Sequence, residues 1–562
     1  MKDYDLDTIR KQIIGNTIIF TTPFGERHLL YADYTASGRG VQLIEERLQN
    51  ILASYGNTHT QDDYSGKYLT ALLHQAEQRI KEIVNAGEQG KIIMTGSGAT
   101  GALKRLQEII GVYIPPATKD RLYQTIQSFD RGAQQVIERL EHERPVVFIG
   151  PYEHHTNELM WRESHADVVV IRLDKNGRID LKDLERKLSD SHIAHRQKLA
   201  SFSAGSNVTG LRTQVYDIAR ICHRHDTFVF FDFAAVAPYV KIDMNHDTES
   251  YFDAIFFSPH KFLGGPGTCG VLVFNEKIYR QDLPPTTAGG GTVIYVGMNT
   301  HDFSDDIETR EKAGTPPILQ AIKAAFVLEL KEKIGVDLIE QVERSYTEYF
   351  IRRLKNITHV ELLGDIAPDQ RVSIVSFNIR HEGRILHPRF VTKLLNDLFG
   401  IQSRAGCSCA GPYGHILLGI DHQTSEKYRK FIIHGCEGIK PGWVRVNIHY
   451  TLSQEDVDYI IQAIEFIAHA GYLFLQKYVF NMKTAEWNYI GFTQQTPDFS
   501  LEESFHYNTV PADDIPNLRS SYLKEAEKMA ETLRKQPSPP YSQDEDELEE
   551  LKYFYCCHIT KE

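Results

Sequence analysis

The stretch Asp253-Ala-Ile-Phe-Phe-Ser-Pro-His-Lys261-Phe-Leu-Gly-Gly-Pro-Gly267 decides both the fold of this chain and the place of its chemistry. Its apolar run, Ile255 to Phe257, predicts a buried strand, and a polar turn with a serine, a histidine and a lysine follows at once. A buried strand of this kind presents the residues at its carboxyl end to a crevice. A lysine that forms a Schiff base must be poorly solvated or repelled, so that its neutral amine is accessible. A surface lysine after a core strand is the alternative interpretation of Lys261, and the flanking serine, histidine and glycines favour the reactive amine.

Similar apolar runs occur on both sides of this stretch. They are Lys91 to Thr95, Pro145 to Gly150, Val168 to Arg172, Leu199 to Phe202, Phe228 to Asp232 and Gly270 to Phe274. Continuous rather than alternating apolar runs suit strands that are buried on both faces. The pattern predicts an α/β fold with a large, mostly parallel sheet. A smaller mixed α+β segment follows, with strand candidates at 372–377 and 443–447.

Composition narrows the class of protein. The chain has 562 residues, of which 41% are hydrophobic and 24% charged, and its net charge is -13. That charge argues against a nucleic-acid-binding surface over the whole molecule. No apolar run reaches the roughly 18 residues that span a bilayer, and the start of the chain lacks a signal peptide pattern. Seven cysteines, an odd number, do not indicate a disulfide framework. We expect a cytoplasmic protein with neither a membrane nor a nucleic-acid partner.

The end of the chain differs in character from the rest. Gln536-Pro-Ser-Pro-Pro540 is typical of a linker, and the run from Asp544 to Glu550 has six acidic residues in seven. Such a run predicts a solvated or partly disordered tail. The predicted organisation is therefore an N-terminal segment (1–27), a large domain (28–330), a small domain (331–475) and a C-terminal extension (476–562).

A glycine-rich turn, Gly96-Ser-Gly-Ala-Thr-Gly101, follows the first predicted strand and opens a helix. Backbone N–H groups at such a turn form an anion site that suits phosphate. The spacing also fits a dinucleotide-binding turn, but that motif requires an acidic residue at the end of a second strand, and Asp120 has no strand before it. The Walker pattern fails because Ala102 stands where lysine is required. A phosphate site and a purely structural turn remain the two interpretations.

Two further strand ends carry polar residues. Asp232 ends the strand that begins at Phe228, where its carboxylate could pair with a cationic ring nitrogen or cap the next segment. Glu153-His-His-Thr-Asn157 offers a planar ring that could stack on a cofactor. Adjacent histidines can also indicate a metal, but no partners lie at familiar ligand spacing, so no metal is predicted.

A phosphate site, a stacking histidine, a ring-nitrogen aspartate and a strand-end lysine, in this order, describe a pyridoxal 5′-phosphate site. Residues from about 28 to 470 resemble the class V aminotransferase family, within the fold-type I pyridoxal phosphate enzymes. Within that family the resemblance is strongest to the cysteine desulfurase and selenocysteine lyase branch. The segments that carry it are Tyr31-Ala-Asp33, Gly98-Ala-Thr100, Glu153-His-His-Thr-Asn157, Ser206-Asn-Val-Thr-Gly210, Asp232, Ser258-Pro-His-Lys261, Gly289-Gly-Gly-Thr292, Gly314-Thr-Pro316 and Arg404 to Pro412.

The resemblance implies a fold-type I architecture and a role for each matching residue. Those that would hold the cofactor are Lys261 (Schiff base), Asp232 (ring nitrogen), His154 (stacking on the ring), Asn207 (ring hydroxyl), and Ala99, Thr100, Ser258 and His260 (phosphate). Family members are homodimers in which the loop that ends at Thr292 completes the partner's phosphate site. Arg445 matches the arginine that binds the carboxylate of a small amino-acid substrate, a task that suits its planar fork. Arg404 is also expected to bind the substrate.

The segment Ser403-Arg-Ala-Gly-Cys-Ser-Cys-Ala-Gly-Pro412 bears on the reaction. In the desulfurase branch a cysteine at the position of Cys409 attacks the substrate sulfur, and a cation such as Arg404 would lower the pKa of its thiol. This implies a reaction from L-cysteine to L-alanine, catalysed by Lys261, His154 and Cys409, with the sulfur then passed to an acceptor protein. Cys407 is a second thiol, a resolving partner or a small loop residue.

Two alternatives stay open. In the first, the chain is a class V aminotransferase or another pyridoxal phosphate lyase that cleaves a C–S or C–N bond, and Cys409 takes no part. Ala235 favours it, because desulfurases usually carry a glutamine there. In the second, the chain is a non-catalytic scaffold whose acidic tail recruits a partner, which the intact lysine cluster argues against.

Overall fold

A computed structural model describes residues 4–58, 60–129, 132–494, 499–502, 507–537, 539–544 and 546–560. The chain forms two compact units. The large unit comprises Ala36–Ser206 and Leu211–Leu338, and the second unit comprises Met1–Thr35, Asn207–Gly210 and Ile339–Glu562. No helix in these described ranges is both long and apolar enough to cross a membrane.

The elements are numbered in chain order. The α-helices are α1 (Leu6–Lys11), α2 (Gln42–Leu52), α3 (Tyr64–Ile83), α4 (Gly98–Ile109), α5 (Pro116–Gln127), α6 (Ala133–His142), α7 (His155–Arg162), α8 (Leu181–Leu188), α9 (Val215–Arg224), α10 (Ile307–Arg310), α11 (Ile318–Ile334), α12 (Val336–Lys355), α13 (Pro388–Phe399), α14 (Gly411–Leu418), α15 (His422–Ile433), α16 (Gln454–Ala470), α17 (Ile515–Arg534) and α18 (Asp546–Leu551). The strands are β1 (Ile18–Thr22), β2 (Gly25–His28), β3 (Leu30–Tyr31), β4 (Gly90–Thr95), β5 (Val146–Ile149), β6 (Asp167–Val170), β7 (Lys198–Ser203), β8 (Thr227–Asp232), β9 (Ala254–Phe257), β10 (Gly270–Asn275), β11 (Val293–Val296), β12 (His301–Phe303), β13 (Val360–Leu362), β14 (Ile374–His381), β15 (Arg384–Ile385), β16 (Ile401–Gln402), β17 (Arg404–Gly406), β18 (Trp443–Asn447), β19 (Tyr478–Asn481), β20 (Trp487–Tyr489), β21 (Asn508–Thr509) and β22 (His558–Thr560).

A seven-stranded sheet organises the large unit, in the order β4-β10-β9-β8-β7-β5-β6. The neighbours from β9 to β6 pair in parallel, whereas β10 runs antiparallel to both β4 and β9. The exception has a local cause, because the chain between β9 and β10 contains no α-helix that could cross back over the sheet. The central strands β5 and β9 are fully buried, as their continuous apolar runs require. The predicted α/β fold with a large, mostly parallel sheet is confirmed.

The second unit is built on an antiparallel sheet in the order β13-β14-β18-β17, with β15 paired to β14. Helices α13, α16 and α17 pack on one another, and α13 also packs on β17 and β18. The strands β14 and β18 account for the two strands expected in the mixed segment.

The N-terminal segment and the C-terminal extension, which are predicted as separate segments, both belong to this second unit. Strand β1 pairs with β2 and with β21 of the extension, and β19 pairs with β20 and β22. The hydrophobic core of the unit includes Tyr522, Leu533 and Phe554. The extension therefore contributes core residues as well as polar surface.

The acidic run also has ordered contacts where it is described. The Lys552 ammonium lies 3.0 Å from an oxygen of Asp544 and 2.6 Å from one of Glu549, and Lys552 is only 2% exposed. Leu548 is buried in the same core. Ser538 of the predicted linker and Glu545 of the run lie outside the described residues. The acidic run predicts a tail because six of its seven residues are charged. Lys552, the buried lysine that pairs with two of these charges, lies just after the run.

Truncating Phe554 tests whether the extension stabilises the second unit. Its ring is fully buried and lies 5.1 Å from that of Phe480 and 4.6 Å from that of His387, between centroids. We expect Phe554→Ala to lower the free energy of unfolding in urea by about 3–5 kcal/mol, because the lost contacts leave a cavity. The control is Phe499→Ala, since Phe499 is fully exposed, and its effect should stay below about 0.5 kcal/mol. Equal effects would show that the extension does not share the core.

Candidate active site

The candidate residues of the large unit collect at one edge of its sheet. Strands β4, β5, β8 and β9 all point the same way, so their carboxyl ends meet there. After β4 the chain enters α4, after β5 it reaches His154, and after β9 it reaches Lys261. Asp232 is the last residue of β8. The structure thus brings together residues that are far apart in the sequence, as a crevice at the strand ends requires.

The first part of this edge is the start of α4. Gly96 and Gly98 have φ values of +53° and +61°, a region that favours glycine. The N–H of Ala99 donates to the Ser258 hydroxyl at 2.8 Å. A Cβ on Gly98 would lie 2.6 Å from that hydroxyl oxygen and 2.8 Å from Cε1 of His260. The hydroxyls of Thr100 and Thr156 are 2.8 Å apart. The helix start, Ser258 and His260 therefore meet so closely that only glycine fits between them.

The turn that carries Lys261 is held by backbone contacts. Pro259–Lys261 forms one 3₁₀ turn, in which the N–H of Lys261 donates to the carbonyl of Ser258 at 3.0 Å. The N–H of Gly38 donates to the carbonyl of His260 at 2.8 Å. A Cβ on Gly265 would lie 2.0 Å from the carbonyl oxygen of Pro259. The glycines after the lysine thus allow the chain to fold back on the turn, which fixes the base of the Lys261 side chain.

Asp232 is a buried carboxylate at the end of β8. It is 4% exposed, and its Oδ1 accepts a hydrogen bond from the N–H of Ala234 at 2.8 Å. Burial raises its pKa to about 6, while that hydrogen bond and the positive charge of Lys261 act in the opposite direction. The negative charge of Asp232 is therefore only partly compensated, and a cationic group placed against it would be stabilised.

His154 is oriented by its position at the start of α7. Its Nδ1 accepts from the N–H of Thr156 at 3.1 Å, so the neutral ring carries its proton on Nε2. The residue is partly buried and follows the end of β5.

Glu153 is a residue of this edge to which sequence reasoning assigned no role. Its carboxylate accepts from the N–H of Gly150 at 3.0 Å, from Nδ2 of Asn157 at 2.6 Å, and from the N–H and hydroxyl of Ser203 at 2.8 and 2.7 Å. Burial raises its pKa to about 7, while the bonds to Ser203 and Asn157 lower it. Glu153 thus links the end of β5 to the end of β7 through hydrogen bonds. In the sequence, only its position next to His154 pointed to it.

Thr292 is fully buried, and its hydroxyl donates to the carbonyl of Gly289 at 2.7 Å. This bond closes the glycine loop on itself. The hairpin of β11 and β12 that follows exposes four large apolar side chains: Ile294, Tyr295, Val296 and Met298.

In the second unit the two candidate arginines share one carboxylate. Nε of Arg404 lies 2.8 Å from Oδ2 of Asp33, and Arg445 places one guanidinium nitrogen 3.0 Å from Oδ1 of the same residue. Arg445 is buried and also donates to the carbonyl of Asn207 at 3.1 Å, whereas the Arg404 side chain is 52% exposed. Asp33 was missed as a site residue, although the Tyr31-Ala-Asp33 match was its signal.

Cys409 lies on a tight turn after β17. The N–H of Ala410 donates to the carbonyl of Cys407 at 3.0 Å, which closes the turn, and Ser408 and Cys409 have φ values of +49° and +56°. Nδ2 of Asn207 donates to the carbonyl of Ser408 at 2.6 Å. All seven cysteines are free thiols, and Cys409 is the exposed one, while Cys407 is partly buried. Asn207 is thus in contact with this turn, a relation that the sequence did not indicate.

Comparisons with known proteins identify the family of this chain. The family model described as Aminotransferase class-V matches residues 125–460. A protein of Halalkalibacterium halodurans named probable cysteine desulfurase is 28% identical over 389 residues, which cover 68% of this chain and 84% of the relative. One of Streptomyces coelicolor with the same name is 26% identical over 389 residues, with the same coverage of both chains. The solved apo structure of a cysteine desulfurase from Thermococcus onnurineus NA1 superposes with a TM-score of 0.63 at 22% identity, covering 82% of this chain and 98% of that one. The predicted resemblance and fold class are confirmed, and the chain belongs to the class V aminotransferase family of enzymes.

Proposed function

We propose that this chain is a pyridoxal 5′-phosphate enzyme that removes sulfur from L-cysteine, forms L-alanine and leaves the sulfur on Cys409. The observation that carries the proposal is the exposed thiol of Cys409 at the tip of a closed turn. A thiolate is the appropriate nucleophile for sulfur, and it must be accessible to react. The relatives named probable cysteine desulfurase support the same reaction.

The residues at the sheet edge fit the cofactor. The buried carboxylate of Asp232, whose pKa is raised to about 6, suits a cationic ring nitrogen. The start of α4, with the close approach of Ser258 and His260 at Gly98, suits a phosphate group. The ring of His154 would stack on the cofactor ring, and Asn207 would contact the ring hydroxyl. When bound, the cofactor supplies an electron sink that stabilises negative charge on the substrate Cα.

Lys261 and Cys409 would have different roles in the reaction, proton transfer for Lys261 and nucleophilic attack for Cys409. Lys261 would hold the cofactor, and its Nζ would take the Cα proton of the substrate as general base. Sγ of Cys409 attacks the substrate sulfur, so that an S–S bond forms as the C–S bond breaks. The carbon left behind takes a proton and becomes the methyl group of alanine. The sulfur stays on Cys409 as a persulfide until a thiol, such as that of an acceptor protein, removes it.

Arg404 and Arg445 would bind the substrate carboxylate. Asp33 orients both guanidinium groups by accepting from each, at 2.8 and 3.0 Å. Arg404 is half exposed and so accessible to a ligand, whereas Arg445 is fixed by burial. Both guanidinium planes can form the paired hydrogen bonds that a carboxylate prefers.

A homodimer is the proposed assembly. The hairpin of β11 and β12 exposes Tyr295, Val296 and Met298 at 60%, 64% and 101%, together with Ile294 at 70%. A cluster of exposed apolar side chains on one hairpin is typical of a protein interface. The adjacent loop that ends at Thr292 would then reach the partner's phosphate group.

The second candidate function is transamination, or another C–S or C–N cleavage, with Cys409 as a bystander. Ala235 favours this candidate, because the usual glutamine of the desulfurase branch is missing at that position. Formation of a 2-oxo acid from the amino-acid donor would distinguish the two candidates.

Replacing Cys409 tests the proposal directly. Cys409→Ala should lower alanine and sulfide formation from L-cysteine by about 10²-fold or more, because no other exposed thiol lies on this turn. Cofactor attachment at Lys261, measured by peptide mass after borohydride reduction, should be unchanged. The control is Cys557→Ala, a partly buried thiol of the extension, which should keep full activity. Unchanged alanine formation in Cys409→Ala would contradict the role of this thiol, and an unchanged yield of 2-oxo acid would favour the second candidate.

A further inference from the structure

The turn after β17 carries a second thiol that the proposed reaction does not use. Cys407 opens the turn that Cys409 occupies, with only Ser408 between them. Two trans peptide units separate their Cα atoms, which limits the distance to about 7.6 Å. A closed turn shortens this span towards the roughly 4.4–6.8 Å at which disulfides form. The hydrogen bond from Ala410 to Cys407 at 3.0 Å closes this turn.

The backbone of this turn is strained by its two central residues. Ser408 and Cys409 both have positive φ, at +49° and +56°, although neither is glycine. Each such residue costs about 1–2 kcal/mol, whereas an Asn-Gly pair would form the same turn at lower cost. The Ser408 hydroxyl is buried and has no hydrogen-bond partner among the described residues, while the Ser408 carbonyl accepts from Nδ2 of Asn207 at 2.6 Å. The sequence therefore keeps a costly turn in which the Cα atoms of Cys407 and Cys409 are at most about 7.6 Å apart.

We propose that Cys407 is the resolving thiol of this site, and that it discharges the persulfide on Cys409 when no acceptor is present. This inference rests on the proposed function. Sγ of Cys407 attacks Sγ of Cys409, the bond to the outer sulfur breaks, and that sulfur leaves with the electron pair as hydrosulfide. The thiol proton of Cys407 passes to the leaving hydrosulfide. The sulfur of Cys407 is oxidised as the disulfide forms, the sulfur of Cys409 keeps its oxidation state, and the outer sulfur is reduced to sulfide, so that no added oxidant is needed.

The disulfide stops further turnover, because Cys409 is no longer a nucleophile. Its ring is small and built on a strained turn, which makes the bond easy to reduce. A cellular dithiol restores both thiols and restarts the reaction. The pair would thus prevent a reactive persulfide from persisting and would link the activity of the enzyme to the supply of reductant.

The test is one turnover of the cofactor-loaded protein with one equivalent of L-cysteine and no added thiol. After acid quenching and alkylation, the mass of the peptide that contains both cysteines is measured, together with the alanine formed. We expect the wild-type peptide to carry no alkyl group and to be two hydrogens lighter than the reduced, unalkylated peptide. The amount of free sulfide should equal the amount of alanine. In Cys407→Ser the alkylated peptide should be one sulfur heavier than the same alkylated peptide before turnover. The sulfide released per alanine should fall at least about 10-fold.

The outcomes separate this inference from the function on which it rests. Absence of alanine from the wild type would overturn the proposed function. Alanine together with a lasting persulfide on Cys409, in the wild type as in Cys407→Ser, would overturn the resolving role alone. A second measurement avoids turnover: Lys261→Ala is equilibrated with glutathione and its disulfide. A Cys407–Cys409 disulfide is expected, and glutathione bound to Cys409 beside a free Cys407 would overturn the pairing.

Discussion

Lys261→Ala is expected to lower the turnover of L-cysteine by about 10³–10⁴-fold, because it removes the proposed general base as well as the covalent attachment of the cofactor. The fold should not change. The turn around Lys261 is held by backbone hydrogen bonds from Lys261 to Ser258 and from Gly38 to His260, and none of these involves the ammonium group. The variant should therefore separate loss of chemistry from loss of structure.

Three measurements check this prediction. Turnover is followed as alanine formation, attachment as peptide mass after borohydride reduction, and stability as the free energy of unfolding in urea. The matched control is Lys241→Ala, because Lys241 is an exposed lysine of the same unit. It should keep activity and covalent cofactor alike. Reducible cofactor still attached to the chain in Lys261→Ala would assign the attachment to another lysine and contradict the proposal.

The central sheet could be predicted from the sequence because most of its strands contain a short, continuous apolar run. A strand buried on both faces needs such a run, so the pattern carries the information in itself. The reversed direction of β10 could not be read in the same way, because its own apolar run looks like the others. That direction follows from the absence of an α-helix between β9 and β10, a property of the connection rather than of the strand.

Lys261 and Asp232 could be proposed from the sequence because, at each position, a single residue type would carry the chemistry. Asp33 and Glu153 were not recognised because their effect depends on partners that are distant in sequence. Asp33 matters through Arg404 and Arg445, and Glu153 through the end of β7. The ordered contacts of the acidic run could not be predicted for the same reason, since its charges do not reveal a buried lysine that pairs with two of them.

Asp232→Asn should lower turnover by about 10²–10³-fold and at the same time stabilise the cofactor-free protein at pH 7. The carboxylate of Asp232 is buried, and its pKa rises from 3.8 to about 6. A shift of this size corresponds to a cost on the order of 3 kcal/mol for the charged form. The amide of asparagine has nearly the same shape and no charge, so it avoids that cost but cannot stabilise a cationic ring nitrogen.

The pH dependence follows from the same shift. Between pH 3.8 and about 6 the folded protein keeps a proton on Asp232 that the unfolded chain has lost. The contribution of protonated Asp232 to the stability of the folded protein is therefore fully present below this window and is lost as the pH rises through it. We expect the difference in unfolding free energy between cofactor-free wild type and Asp232→Asn to grow by about 1–3 kcal/mol from pH 4 to pH 7.

The control is Asp369→Asn, since Asp369 is exposed, and its difference from wild type should stay constant within about 0.5 kcal/mol. Cofactor binding gives the decisive comparison. A bound cation next to Asp232 would offset the cost of the buried charge, so the wild type should gain more stability from the cofactor than Asp232→Asn does. An equal gain in both proteins would mean that no cationic nitrogen faces this carboxylate. A larger gain in the wild type would show that the bound cofactor offsets the free-energy cost of burying the charge of Asp232.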